Sequence, residues 1–212
     1  MKRFLFVWLI YVSTTIAVAQ TGIEKIERYT ILNGLSNNSI TSIFQDKRGF
    51  LWIGTEWGLN RFDGRAYKQY LTTGINGLPN LSIYNITEDK NGLLWVGTSS
   101  GICSFNPLTE KFIHYSDVAG KVFVDKQNNI WFYAAKEFCL LNPLTKKVEK
   151  FPLSFQQKET KSNQYILSFF EDSKNRFWIA TSLGAKLFNR ATNTFVSYHF
   201  PEQANIHLTE IG

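Results

Sequence analysis

"DKRGFLWIGT", residues 46–55, returns at residues 89–98 as "DKNGLLWVGT": a charged turn that runs straight into a short apolar strand, written twice. The frame extends further. Trp52, Trp95, Trp131 and Trp178 each lie six residues after an aspartate (Asp46, Asp89, Asp125 and Asp172), and successive tryptophans are 43, 36 and 47 residues apart. Ten residues after each tryptophan stands a large apolar residue, Phe62, Phe105, Leu141 or Phe188, followed at once by a turn former, Asp63, Asn106, Asn142 or Asn189. The chain then runs back through "YKQY", "KFIHY", "KVEKF" and "FVSYH". Each unit therefore reads as four short strands, the first at about 39–45, 50–55, 59–62 and 66–70.

The turns carry the chemistry such strands need. Lys47-Arg48-Gly49 and Lys90-Asn91-Gly92 are hairpin signals, and Asn106-Pro107 and Asn142-Pro143 are turn signals; Gly and Asn accept positive backbone angles and Pro presets a negative one. Gly58, Gly101 and Gly184 hold one equivalent place between second and third strands. The third unit departs from the pattern, with Tyr133 where the others have Gly54, Gly97 or Ala180, and Glu137 in place of the turn glycine. It is expected to be the least regular.

A period of about 40 residues carrying four strands is the signature of a β-propeller, because one such sheet is apolar on both faces and is stable only between neighbours. Leu59, Ile102, Phe138 and Ala185 point one way from the third strand, and Phe62, Phe105, Leu141 and Phe188 point the other. An amphipathic sandwich would show one polar face. A β-solenoid is the runner-up, with coils that are usually shorter. The fold class is all-β, four-stranded antiparallel blades at about 39–70, 82–115, 121–151 and 164–198. Residues 23–31 resemble the last strand of a unit and read as the closing strand of a missing blade, and residues 204–212 as the start of a fifth. The four blades are thus an open arc.

The first 19 residues read as an export signal: Lys2 and Arg3, then an apolar run from Phe4 to Ile16, then Ala17-Val18-Ala19 for cleavage. The run is shorter than the about 20 apolar residues that a membrane anchor needs. The mature chain reads as exported and periplasmic, with no further stretch able to span a membrane. Without Lys2 and Arg3 the formal charge of +6 becomes +4 and no dense basic run remains, which argues against nucleic acid. Eighteen Phe, nine Tyr and six Trp are enough to fill a core, which excludes disorder.

"GLSNNSITSIFQDKRGFLWIGTEWGLNRFDG" resembles the two-component regulator propeller repeat of the periplasmic sensor region of Bacteroidetes-type hybrid sensors. The resemblance covers about residues 23–200 and is strongest in the first two units. It implies a ligand-binding propeller, followed in the family by an immunoglobulin-like module, a membrane helix and a histidine kinase, with carbohydrate breakdown products as the usual signals. A homodimer passing the signal is implied likewise. The chain stops after four units, so it would carry part of the sensing and none of the phosphotransfer.

The residues themselves offer little for catalysis. His114, His199 and His207 have no nucleophile or metal ligand at a telling spacing, and no cofactor motif is present. The repeated aspartates read as turn caps, because Asp accepts backbone hydrogens there and catalytic groups need not repeat. A free-standing exported propeller acting as a carbohydrate-active hydrolase or lyase, or as a protein-binding module, is the alternative function. Cys103 and Cys139 fall at equivalent places on neighbouring blades. Sheets pack about 10 Å apart and a disulfide requires α-carbons within about 7 Å, so both are expected as buried free thiols. Ligand contacts should come from loops that differ between units. Among "TEWG", "TSSG", "AAKE" and "TSLG" the outlier is Trp57, which could stack on a sugar ring or cover a neighbouring blade. Glu56 beside it and Asn80 in the loop into the second unit could bond hydroxyls of an oligosaccharide.

Overall fold

Each aspartate turn is the nucleus of one blade. Asp46 Oδ1 accepts the amides of Arg48 and Phe50, both at 3.0 Å, and Oδ2 accepts the Trp52 indole N–H at 2.9 Å. The same indole-to-carboxylate bond recurs at Trp95–Asp89 (3.2 Å), Trp131–Asp125 (2.9 Å) and Trp178–Asp172 (2.9 Å). The six-residue spacing is thus one side-chain bond repeated four times. Three residues past each aspartate the backbone turns to positive φ, at Gly49, Gly92, Asn128 and Asn175, the residues that tolerate it.

The computed structural model describes residues 27–134, 137–152 and 165–198. They form four sheets of four antiparallel strands, each sheet in sequence order. The first holds β1 (Ile40–Gln45), β2 (Leu51–Thr55), β3 (Gly58–Phe62) and β4 (Tyr67–Tyr70). The second holds β5 (Ile83–Glu88), β6 (Leu94–Thr98), β7 (Gly101–Asn106) and β8 (Lys111–Ser116). The third holds β9 (Lys121–Val124), β10 (Ile130–Ala134), β11 (Glu137–Leu141) and β12 (Val148–Pro152). The fourth holds β13 (Ile166–Glu171), β14 (Phe177–Thr181), β15 (Gly184–Asn189) and β16 (Thr194–Ser197). The expected all-β class of four-stranded antiparallel blades is what the chain adopts.

Apolar clusters fill the seams between successive sheets. Trp52 and Leu59 of the first meet Ile83, Leu94 and Phe105 of the second. Trp95 and Ile102 of the second meet Val122, Phe132 and Leu141 of the third. Trp131 and Phe138 of the third meet Phe177, Ile179 and Phe188 of the fourth. In the first three blades apolar residues on both faces of the third strand are buried, whereas in the fourth only the face that bears Phe188 is. Among the described residues no such cluster joins the first sheet to the fourth. Ile43 on one and Phe170 and Val196 on the other are exposed, so the described arc is open.

A second set of contacts ties the seams at the turns. Lys47 Nζ donates to the Asp89 carbonyl (2.8 Å), Lys90 Nζ to the Lys126 carbonyl (2.6 Å), and Lys126 Nζ to the Asp172 carbonyl (2.7 Å). Each blade thus reaches the next through the residue that follows its aspartate; in the fourth blade that residue is Ser173.

The segment read as a closing strand, 23–31, is described from residue 27 onward. Residues 27–30 have no strand pairing, and Ile31–Asn33 is a 3-10 turn capped by Thr30 and Asn33. A strand needs a partner for its main-chain groups. The Ile31 amide is satisfied locally instead, by Asn38 Oδ1 at 3.0 Å, while Tyr29 packs edge-on against Phe62. The export signal at 1–19, the start of a fifth blade at 204–212, His199 and His207 lie outside the described residues.

Candidate ligand-binding face

Two kinds of segment meet at one end of the first, second and fourth blades: the turn between second and third strands and the residue that enters the first. Glu56 N–H donates to the Ser39 carbonyl (3.1 Å), Ser99 to Ser82 (3.0 Å) and Ser182 to Tyr165 (3.1 Å). The opposite end carries the aspartate turns. A threonine fixes this turn in those three blades: Thr55 Oγ1 donates to the Gly58 carbonyl and accepts the Trp57 amide, and Thr98 and Thr181 repeat the arrangement. Gly58, Gly101 and Gly184 follow at positive φ. The loops that vary between units therefore stand on a rigid end.

Trp57 is 57% exposed at this end and Glu56 is exposed beside it. The Gly58 amide donates to the Leu81 carbonyl at 2.7 Å, which sets this turn against the loop that carries Asn80. The three sequence candidates thus lie on adjoining segments. Asn80 is already engaged, Oδ1 accepting the Ser82 amide (2.9 Å) and Nδ2 donating to Ser100 Oγ (3.1 Å). Its amide shapes the loop, leaving the exposed side chains of Trp57 and Glu56 of the three.

The remaining sequence candidates resolve into structural roles. His114 Nε2 is 2.7 Å from the Gly77 carbonyl and holds the long loop between the first two blades. Asp46 is buried in its turn, and although burial alone would raise its carboxyl, the bonds from Trp52, Phe50 and Arg48 hold it below the usual carboxylate range. Asp125 behaves alike: burial opposes ionisation, but Asn129, Trp131 and the Arg190 charge outweigh it. Such carboxylates are held ionised and saturated with donors, which suits a cap and not a general acid. Cys103 and Cys139 are free and buried in different seams. Burial raises both thiols, that of Cys139 to about 12, so neither is a thiolate nucleophile. Among the described residues no three His, Cys, Asp or Glu side chains converge as metal ligands, and no helix is long and apolar enough to cross a membrane.

The indole-to-carboxylate bond is what sequence reasoning missed. The six-residue spacing was visible, but the partner of each aspartate's second oxygen was not. One residue of the third blade, the partner of Tyr133, was missed as well. By register Ser42 faces Gly54, Asn85 faces Gly97, Lys121 faces Tyr133 and Ser168 faces Ala180. Lys121 replaces a short polar residue there, and comparing innermost strands would have shown it.

An open arc of four-stranded blades, each nucleated by an aspartate–tryptophan pair, defines a propeller repeat protein. The profile of the two-component regulator propeller matches residues 34–57, 77–100 and 160–182, so these three segments, on the first, second and fourth blades, belong to that repeat family. Over 52 residues the chain is 46% identical to Histidine kinase P4 of Formosa agariphila, which is 24% of this chain and 4% of that protein. Its fold is similar to the extracellular domains of two hybrid two-component systems of B. thetaiotaomicron. One shares 24% identity at a TM-score of 0.59, over 82% of this chain and 32% of that one. The other shares 21% at 0.65, over 81% and 23%. The chain spans less than a third of the length of these relatives.

Proposed function

We propose that this chain is the front part of a periplasmic ligand-sensing propeller of a hybrid histidine kinase, carried there by an export signal at residues 1–19, and that its own role is binding and not catalysis. The observation that carries the reading is the repeat match on three blades, together with a kinase relative and sensor domains that are all several times longer than this chain. The signal is a carbohydrate fragment, with Trp57 offering a ring face and Glu56 hydroxyl acceptors on the loop end of the first blade. A homodimer of the whole sensor converts binding into kinase bias, which requires the ligand to prefer one arrangement of the two protomers. The kinase lies outside these 212 residues.

Immunoblotting of fractionated cells with an antibody to this chain tests the reading. A membrane-associated band far larger than 212 residues is the expected result. A soluble periplasmic band of the chain's own size would overturn it in favour of the free-standing propeller. In the sensor case, titrating the purified chain with oligosaccharides should show saturable binding, weakened about tenfold by Trp57→Ala through loss of ring stacking.

A further inference from the structure

Between innermost strands the first two seams are stitched by one side chain each. Ser42 Oγ accepts the Ile86 amide at 3.2 Å, joining β1 to β5. Asn85 accepts the Val122 amide (2.9 Å) and donates to the Val122 carbonyl (2.6 Å), joining β5 to β9. Both seams close tightly because the residue paired with the stitch is glycine. A Cβ on Gly54 would clash with the Ile83 side chain, and one on Gly97 with the Gly120 carbonyl. At the third seam both members of the pair change at once, to Lys121 and Tyr133. Tyr133 is buried and its hydroxyl donates to the Leu167 carbonyl at 2.7 Å, so it props β13 where glycine would admit it.

The consequence is a groove between β9 and β13. One chamber, of about 530 Å³, is lined by Tyr84, Gly120, Lys121, Tyr133, Ile166 and Leu167 among others. A smaller one, of about 180 Å³, continues it past Lys121 and Tyr133 to Ser168 and Phe169. The larger falls within the size range of small-molecule sites. Its walls are mostly apolar, with Tyr84 38% and Leu167 50% exposed toward solvent. No carboxylate lines either chamber, and the described residues give the Lys121 ammonium no ion pair.

We propose that the groove between the third and fourth blades binds a compact organic anion, a ring bearing a carboxylate, with the carboxylate on Lys121 and the ring against Tyr84 and Leu167. Lys121 is exposed at the edge of the groove, and with no carboxylate in either wall its ammonium is left to meet an anion from solution. A tyrosine face beside an aliphatic side chain suits a flat aromatic ring or the apolar C–H face of a sugar. The site departs from the repeat at the one seam where both stitch residues are exchanged together. Breaks of this kind in an otherwise consistent pattern are where function is expected. It does not depend on a kinase, so its failure would leave the sensor reading standing, and loss of the sensor reading would leave it untouched.

Calorimetric titration of the purified full chain with sodium glucuronate and with sodium 4-hydroxybenzoate tests it, with glucose and 4-hydroxybenzyl alcohol as neutral counterparts. At least one anion should bind at about millimolar Kd, the strength expected of so small a ligand, and about tenfold more tightly than its neutral counterpart. Lys121→Gln should weaken it about tenfold and Tyr84→Ala by about threefold, while Lys90→Gln on the opposite end leaves it unchanged. Binding of glucuronate alone assigns a sugar acid, and of hydroxybenzoate alone an aromatic acid. No saturation by either anion at about twenty times that concentration, or binding undiminished in Lys121→Gln with the far-ultraviolet circular dichroism intact, would overturn the proposal.

Discussion

The second blade and the fourth are copies of one unit placed in different company. Trp95 lies 1% exposed between its own blade and the third, against Tyr115 at 4.9 Å between ring centroids. Trp178 makes the same bond to its aspartate but stands on the open side of the arc, beside Tyr198 and under the Arg176 guanidinium at 5.2 Å. In a repeat protein, stability comes from interfaces between units as much as from the units themselves. The same residue should therefore matter unequally at the two places. Trp95→Ala is expected to cost about 3–5 kcal/mol, and Trp178→Ala about 1–2 kcal/mol, in urea unfolding of the full chain. Equal losses would show that the outer face of the fourth blade is covered in solution.

The aspartate turns sharpen the comparison because their geometry is common to every blade while their surroundings differ. Asp46→Asn should cost about 1–3 kcal/mol at neutral pH, because an amide can accept only through its oxygen and turns a donor toward one of the Asp46 partners. The acid limb follows from the same bonds. Asp46, Asp125 and Asp172 have carboxyls held below the usual carboxylate value in the fold. The unfolded chain then binds more protons than the native one, so this stability is fully present above about pH 4 and is lost as pH falls through the lowered native values. Asp46→Asn should flatten that acid limb, and an unchanged slope between about pH 4 and pH 2 would contradict the assignment.

Much of this was legible beforehand because repetition makes a pattern self-checking. The four aspartate-to-tryptophan spacings, the turn glycines at 49 and 92 and the apolar residues on both faces of the third strand all follow from residue type at fixed offsets. What was not legible depends on neighbours distant in sequence. The lysine at 47 reaches a carbonyl at 89, and the stitch from Asn85 lands on Val122. Nor could composition show that Asn80 spends its amide on Ser82 and Ser100. Residues 27–31 match an outer strand by residue type, but pairing as one depends on a neighbouring blade and not on their own sequence.

The smallest expected difference lies at the innermost strands. Asn85→Ala removes two bonds that satisfy both main-chain groups of Val122 in a closed seam, and should cost about 1–2 kcal/mol with faster hydrogen exchange at the Val122 amide. Tyr133→Phe removes one bond, to a Leu167 carbonyl that borders the groove and can be reached by water, so about 0.5–1 kcal/mol is expected. The ring itself stays and continues to hold β13 apart. Should Tyr133→Phe prove the costlier, the third seam would be held chiefly by that hydroxyl, and the groove would be a space the tyrosine spans and not one that it wedges open. The order of the two losses therefore decides which description of the seam is right.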